Sequence, residues 1–348
     1  MKQKTKLITG ILVILMLVIA WIVFSQRESG ESLPGSGNQN QSTQLNGVTH
    51  PLQILQMRAK DYPGSEVTIE DELSPQESYK QYLTSYQSDG LKIYALLTVP
   101  QGDKPGGGWP AIIFNHGYIP PEQYQTLARY QAYVDVFARN GYIVFKPDYR
   151  GHGNSDGNPE GAYFSAAYTV DVLNAVSSIK KFGEANPDRI GMWGHSMGGS
   201  ITLRSMVVTK DIKAGVIWAG VVASYDDMMN RWRRRVAWQP SERENMAHRP
   251  SRDDLIKQFG DFDANLQFWK SIAPISFVAD ISGPIQLHHG LADESVPPEF
   301  SESLKAALEA ASKTVEYYTY DGADHNISGA SFNLAMQRSV EFFDKYLK

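Results

Sequence analysis

The sequence predicts an α/β fold: a mostly parallel central sheet with helices on both faces. Two observations lead there. Short apolar runs alternate with segments of helical period from about residue 109 to the C-terminus, and strands separated by helices pair in parallel. One strand-to-helix junction also carries Gly194-His195-Ser196-Met197-Gly198, a turn so sharp that small residues must flank its centre.

Length and composition agree with that class. The chain has 348 residues and is 42% hydrophobic, which suits one domain of about 250–300 residues plus an appendage. A disordered chain would carry far fewer apolar residues. With 38 acidic against 33 basic side chains the net charge is −5, against the basic surplus of nucleic-acid binders. There is no cysteine, which excludes disulfides, thiolate metal sites and a thiol nucleophile.

The elements follow in order. Residues 1–27 hold Lys2, Lys4, Lys6 and Arg27 and no acid. Removing these four leaves 29 basic and 38 acidic residues, a net −9 for the rest. Leu7 to Phe24 is an uncharged run of 18 residues, about 27 Å as a helix and close to a bilayer core. It reads as a single-pass signal anchor, with secretion after cleavage as the alternative. The lysines before it put the N-terminus in the cytoplasm and the body outside. Residues 28–74 read as a flexible tether and lead-in, dominated at first by Gly, Ser, Asn and Gln. Residues 75–348 form the body.

Within the body, residues 78–100 predict two strands split by Ser88-Asp89-Gly90, an antiparallel edge. Ala111–Phe114 is a buried strand, and residues 122–139 a helix ended by Asn140-Gly141. Further strands are expected over Tyr142–Phe145, Arg189–Trp193, Ala214–Trp218, Ile285–His288 and Val315–Tyr320. Helices are expected over Ala166–Phe182, from Ser196, over Pro298–Ala311 and from Ile327 or Ser331 to Leu347. Residues 224–275 break the alternation, with apolar anchors at Trp232, Trp238, Phe259 and Trp269. They read as a helical lid insertion over the C-terminal edge of the sheet, where long connections are usually functional.

The chemistry concentrates at that edge. Ser196 stands at the centre of G-x-S-x-G, exposed above a helix N-terminus that favours negative charge. A serine hydroxyl needs a base. His325, in Gly322-Ala323-Asp324-His325-Asn326, follows the last strand, and Asp293 follows the strand before it. The chain order Ser196, Asp293, His325 is the one this architecture requires. Asp293 would hold the imidazole tautomer and stabilise the imidazolium. The oxyanion would take the backbone N–H groups of Met197 and Tyr118, with Gly117 letting the chain turn. His116 is expected to order that loop, and Arg150 and His152 to brace neighbouring loops. Arg231, Arg233, Arg234 and Arg235 form a basic cluster. It reads as a solvated face or as a substrate-binding clamp for an anionic group.

Together these residues resemble the α/β-hydrolase fold. The NHGY loop, DYRGHGNSDG, GHSMGG, HGLADESVP and GADHN are similar to the catalytic domain of the prolyl oligopeptidase family over about residues 75–348. That resemblance implies Ser196 as nucleophile, His325 as base and Asp293 as its partner, with the Tyr118 and Met197 amides as oxyanion donors. Large members of that family carry a β-propeller before the hydrolase domain; here only the tether precedes it. The expectation is a membrane-tethered serine hydrolase on short peptides or blocked amino acids. A carboxylesterase is the alternative, and a silent binding protein on the same fold a third. The substrate is a small peptide or ester. The chemistry calls for no cofactor, metal or nucleic acid.

Overall fold

A computed structural model describes residues 49–234, 237–247 and 249–348. The expected membrane anchor and residues 28–48 of the tether lie outside the described residues. Among the described residues no helix is long and apolar enough to cross a membrane.

The elements run α1 (Ile54–Ala59), β1 (Thr68–Glu72), β2 (Tyr79–Ser88), β3 (Leu91–Pro100), β4 (Trp109–Asn115), α2 (Gln131–Arg139), β5 (Ile143–Pro147), α3 (Ala167–Lys181), β6 (Ala185–His195), α4 (Met197–Val208) and β7 (Ile212–Trp218). Four short helices follow, α5 (Tyr225–Asn230), α6 (Glu242–Met246), α7 (Arg252–Phe259) and α8 (Leu266–Ile272). After a 3₁₀ turn come β8 (Ile285–Gly290), α9 (Glu299–Ala310), β9 (Val315–Tyr320) and α10 (Ala330–Leu347). The nine strands lie in the order β1-β2-β3-β5-β4-β6-β7-β8-β9. β1, β2 and β3 join antiparallel, and the six from β5 to β9 run parallel. This is the α/β-hydrolase fold that the sequence predicts.

Successive residues of a strand face opposite ways, and the two cores show it. Ile113, Met192, Ile217 and Leu287 pack on one face under α3, α4 and α9. Ile112, Phe114, Trp193 and Trp218 pack on the other under α2 and α10. Trp193 stacks on Phe114 with ring centroids 4.2 Å apart.

Two stretches differ from the sequence reading. In the described part of the lead-in, α1 packs against α4 and α8, and β1 adds outside the hairpin. β1 is exposed throughout, so no apolar alternation announces it. The helix expected over 122–139 begins only at Gln131, after Tyr130 in the left-handed region (φ 62°). The preceding residues are turns because the carbonyls of Thr126 and Arg129 take the buried Lys146 ammonium, at 2.7 and 2.9 Å. A helix would have spent those carbonyls on its own N–H groups.

Arg204 of α4 ties the lead-in to the body. Its buried guanidinium donates to the carbonyls of Leu52 (3.2 Å) and Ile272 (2.8 Å) and to the Tyr225 hydroxyl (3.2 Å). Arg204→Leu strands both carbonyls and should lower unfolding stability by about 3 kcal/mol. A denaturant midpoint equal to that of the wild type would show that water replaces the side chain freely.

Candidate active site

The turn between β6 and α4 is set by close approach. Ser196 adopts φ 55° and ψ −116°, a region L-residues avoid unless their surroundings hold them there. A Cβ on Gly194 would meet Gly198 O at 2.3 Å, and one on Gly198 would meet Asn115 O of β4 at 2.0 Å. Both glycines are therefore required by space, as the motif implies. Met197 opens α4, so its N–H has no carbonyl one turn back to bond.

The loop after β4 is fixed on both sides. Gly117 N–H donates to the Tyr130 hydroxyl at 2.9 Å. His116 is buried, with Nδ1 2.7 Å from Gly117 O. The Gly117–Tyr118 peptide is planar, so holding its carbonyl aims the Tyr118 N–H the opposite way. Burial, then the charge of His152, pushes the His116 pKa well below the usual imidazole value, and its Nε2 lies 3.1 Å from Asp148 O, so the ring ties the loop to the strand end beside it. Arg150 is likewise structural: it bonds the buried Asp171 of α3 at 2.8 Å.

His325 Nδ1 lies 2.7 Å from Asp293 Oδ2. Asp293 Oδ1 accepts from the N–H groups of Ser295 (2.7 Å) and Val296 (2.9 Å). Burial works against the charge of Asp293, but bonds from His289 and His325 and the Val296 N–H outweigh it and hold the carboxyl below its ordinary range. His289 is the residue the sequence reading left without a role. Its Nε2 is 3.2 Å from Asp293 Oδ2 and 3.0 Å from Val296 O. Both neighbours only accept, so Nε2 carries a proton; Nδ1 faces the Ser301 hydroxyl at 2.7 Å. The doublet His288-His289 at a strand end was the available signal.

His195 connects the two sides. Its Nε2 lies 2.9 Å from His325 O, which only accepts, and its Nδ1 lies 2.8 Å from the Tyr130 hydroxyl. Burial and the nearby His325 push its pKa down to about 3, so the ring is neutral with the proton on Nε2. The chain is thus directional: Gly117 N–H to Tyr130, Tyr130 O–H to His195, His195 N–H to the His325 carbonyl.

Ser196 and His325 line one cavity of about 1380 Å³ between the sheet edge and the insertion. No hydrogen bond joins Ser196 Oγ to His325 Nε2 among the described residues; such bonds often close only with substrate in place. Residues of the insertion, among them Trp232, Trp238 and Glu244, line the same cavity. Tyr118 Oη donates to Glu244 at 2.7 Å, and Trp232 Nε1 donates to Ser295 O at 2.7 Å. Of the arginine cluster only Arg234 lines the cavity among the described residues. Arg231 pairs with Asp227 at 3.3 Å, Arg233 is exposed, and Arg235 lies outside the described residues. Among the described residues no cluster of three His, Asp or Glu side chains is arranged to hold a metal ion.

A serine at a strained turn and an imidazole bonded to a carboxylate, both at one cavity, suit nucleophilic attack on a carbonyl. The model of the family "Serine aminopeptidase, S33" matches residues 110–329. The chain belongs to this family. It is 25% identical over 253 residues to "Uncharacterized peptidase YtmA" of Bacillus subtilis, covering 72% of this chain and 88% of that one. It is 24% identical to "Putative esterase YitV" of the same organism, covering 68% and 89%. Two solved structures share the fold. Porphyromonas gingivalis dipeptidyl peptidase 4 gives a TM-score of 0.60 at 22% identity, over 78% of this chain but only 36% of that one. Acetyl xylan esterase from Paenibacillus sp. R4 gives 0.61 at 16% identity, over 84% and 92%. The chain is a serine hydrolase of the peptidase or esterase kind.

Two predictions follow from the Asp293 surroundings. His289→Leu deletes one donor to the carboxylate and should lower kcat about tenfold with little change in KM; a wild-type kcat would reduce His289 to packing. The folded pKa of Asp293 lies below its unfolded value, so its stabilisation is complete above the ordinary carboxylate range and fades as pH falls below about 4. Asp293→Asn should therefore flatten the fall of Tm in that acid window. An unchanged acid slope would place the charge's stabilising partners elsewhere.

Proposed function

We propose that Ser196 is the nucleophile, His325 the general base and Asp293 the group that orients it. The enzyme is then a prolyl-oligopeptidase-like serine peptidase acting on short peptides or blocked amino acids. The observation that carries this reading is the 2.7 Å Asp293–His325 bond beside a Ser196 held at φ 55° in one cavity. Ser196 Oγ attacks the carbonyl carbon as His325 Nε2 takes its proton. The Met197 and Tyr118 N–H groups receive the oxyanion. The tetrahedral intermediate expels the amine, which leaves with the proton from His325. Water, deprotonated by His325, then attacks the acyl-enzyme and releases the acid.

A carboxylesterase is the second reading. The esterase relative is matched over 89% of its own length, alongside 88% for the peptidase relative, and the acetyl xylan esterase over 92%. The uncharged run Leu7–Phe24 behind three lysines supports a membrane-tethered, extracytoplasmic location, with secretion after cleavage as its alternative.

Ser196→Ala should lower kcat at least about 10⁴-fold and abolish labelling by a fluorophosphonate probe; labelling that persists would move the nucleophile elsewhere. Aminoacyl anilides and p-nitrophenyl esters then separate the two readings by kcat/KM. Anilide cleavage supports the peptidase, and esters turned over with anilides untouched would leave the carboxylesterase.

A further inference from the structure

We propose that Arg234 binds a carboxylate carried by the substrate, so that the cavity selects anionic esters or amides over neutral ones. This rests on the serine-hydrolase reading and adds the charge of the substrate to it.

Arg234 belongs to the insertion and lines the same cavity as Ser196 and His325. Its guanidinium lies over the Trp232 ring, 3.9 Å from the centroid. A guanidinium held over an aromatic face can still offer its N–H edge to a ligand. No carboxylate lies within 4 Å of it among the described residues, and it has no further partner there. Burial, and the positive charge of Arg249 nearby, work against its charge, yet an arginine stays protonated.

The acids of the cavity wall are occupied. Glu244 takes Arg249, the Tyr118 hydroxyl at 2.7 Å and the Ser241 N–H at 2.9 Å. Asp253 pairs with Arg252 at 3.1 Å, and Glu294 is itself engaged. Arg234 and Arg249 thus share a wall with one saturated carboxylate between them. Tyr163 stands edge-on to Trp232, with ring centroids 5.6 Å apart, and burial raises its hydroxyl pKa to about 12. It remains a neutral donor on the same wall. A half-buried cation without a counter-charge is unfavourable. A ligand carboxylate offers two oxygens that match the guanidinium fork.

The carboxylate can sit on either side of the scissile bond, and two substrate pairs distinguish these sources. On the acyl side, 4-nitrophenyl hydrogen glutarate is compared with 4-nitrophenyl butyrate. On the leaving-group side, 4-acetoxybenzoate is compared with its methyl ester. The wild type should favour the anionic member of one pair in kcat/KM by about tenfold to a hundredfold, as a charge-assisted bond does. Arg234→Gln should bring that ratio close to one. Arg233→Gln, at the exposed neighbour, should preserve it. No anionic preference in either pair overturns the proposal without any variant. So does a preference that survives Arg234→Gln, or one lost equally in Arg233→Gln. Turnover of the neutral esters and fluorophosphonate labelling of Ser196, read on the same protein, report the serine-hydrolase reading separately.

Discussion

The site depends on how tightly the start of α4 is pressed onto β4. At Gly198 the two backbones come so close that a single methyl would sit 2.0 Å from the Asn115 carbonyl. That approach leaves Ser196 no room for a relaxed turn, and it accepts φ 55°. Strain of this kind persists only where surroundings over-determine it. Here they do: Ser196 N–H bonds Trp218 O at 2.9 Å, and Ser196 O accepts from Gly199 at 3.0 Å and Val221 at 3.1 Å. The serine side chain is therefore aimed by the sheet itself and not by its own rotamer preference.

The loops around it are held by protons whose positions are forced. In His195 and His289 one ring nitrogen meets a carbonyl and the other a hydroxyl, so the carbonyl side donates. That assigns Nε2–H to both. The first links the Gly117 loop to the carbonyl of His325, and the second steadies the carboxylate that His325 leans on. Because the depressed pKa of His195 keeps it neutral, the link neither reverses nor breaks across ordinary pH. Pre-organised dipoles of this kind are what stabilise charge that appears only in the transition state.

Much of this was legible in the chain. Buried strands announce themselves by apolar runs, and the parallel order follows from the alternation with helices. Ser196, Asp293 and His325 stand in the required order at three strand ends, and the structure gathers them at one sheet edge. What escaped was set by partners distant in sequence. β1 is held by backbone pairing with β2 and shows no pattern of its own. The turns before Gln131 exist because a lysine 20 residues on claims the Thr126 carbonyl. His289 gains its place only once β8 and the Asp293 loop fold back on each other. Within the arginine cluster, spacing alone did not separate Arg234 from Arg233, since the segment is too irregular for a helical period to apply.

The roof of the cavity is tied to its floor at two informative points. Tyr118, which lines the cavity, donates its phenol to Glu244 of the insertion, while Trp232 reaches the carbonyl of Ser295, two residues beyond Asp293. Residues that line the cavity thus share bonds with the loops that carry the proposed catalytic groups. Selection for a new substrate would rarely leave turnover untouched, because the parts that discriminate and the parts that react are not separable modules. Neutral drift in the insertion is correspondingly narrower than its surface position suggests, and paired changes across the cleft are the expected path of divergence.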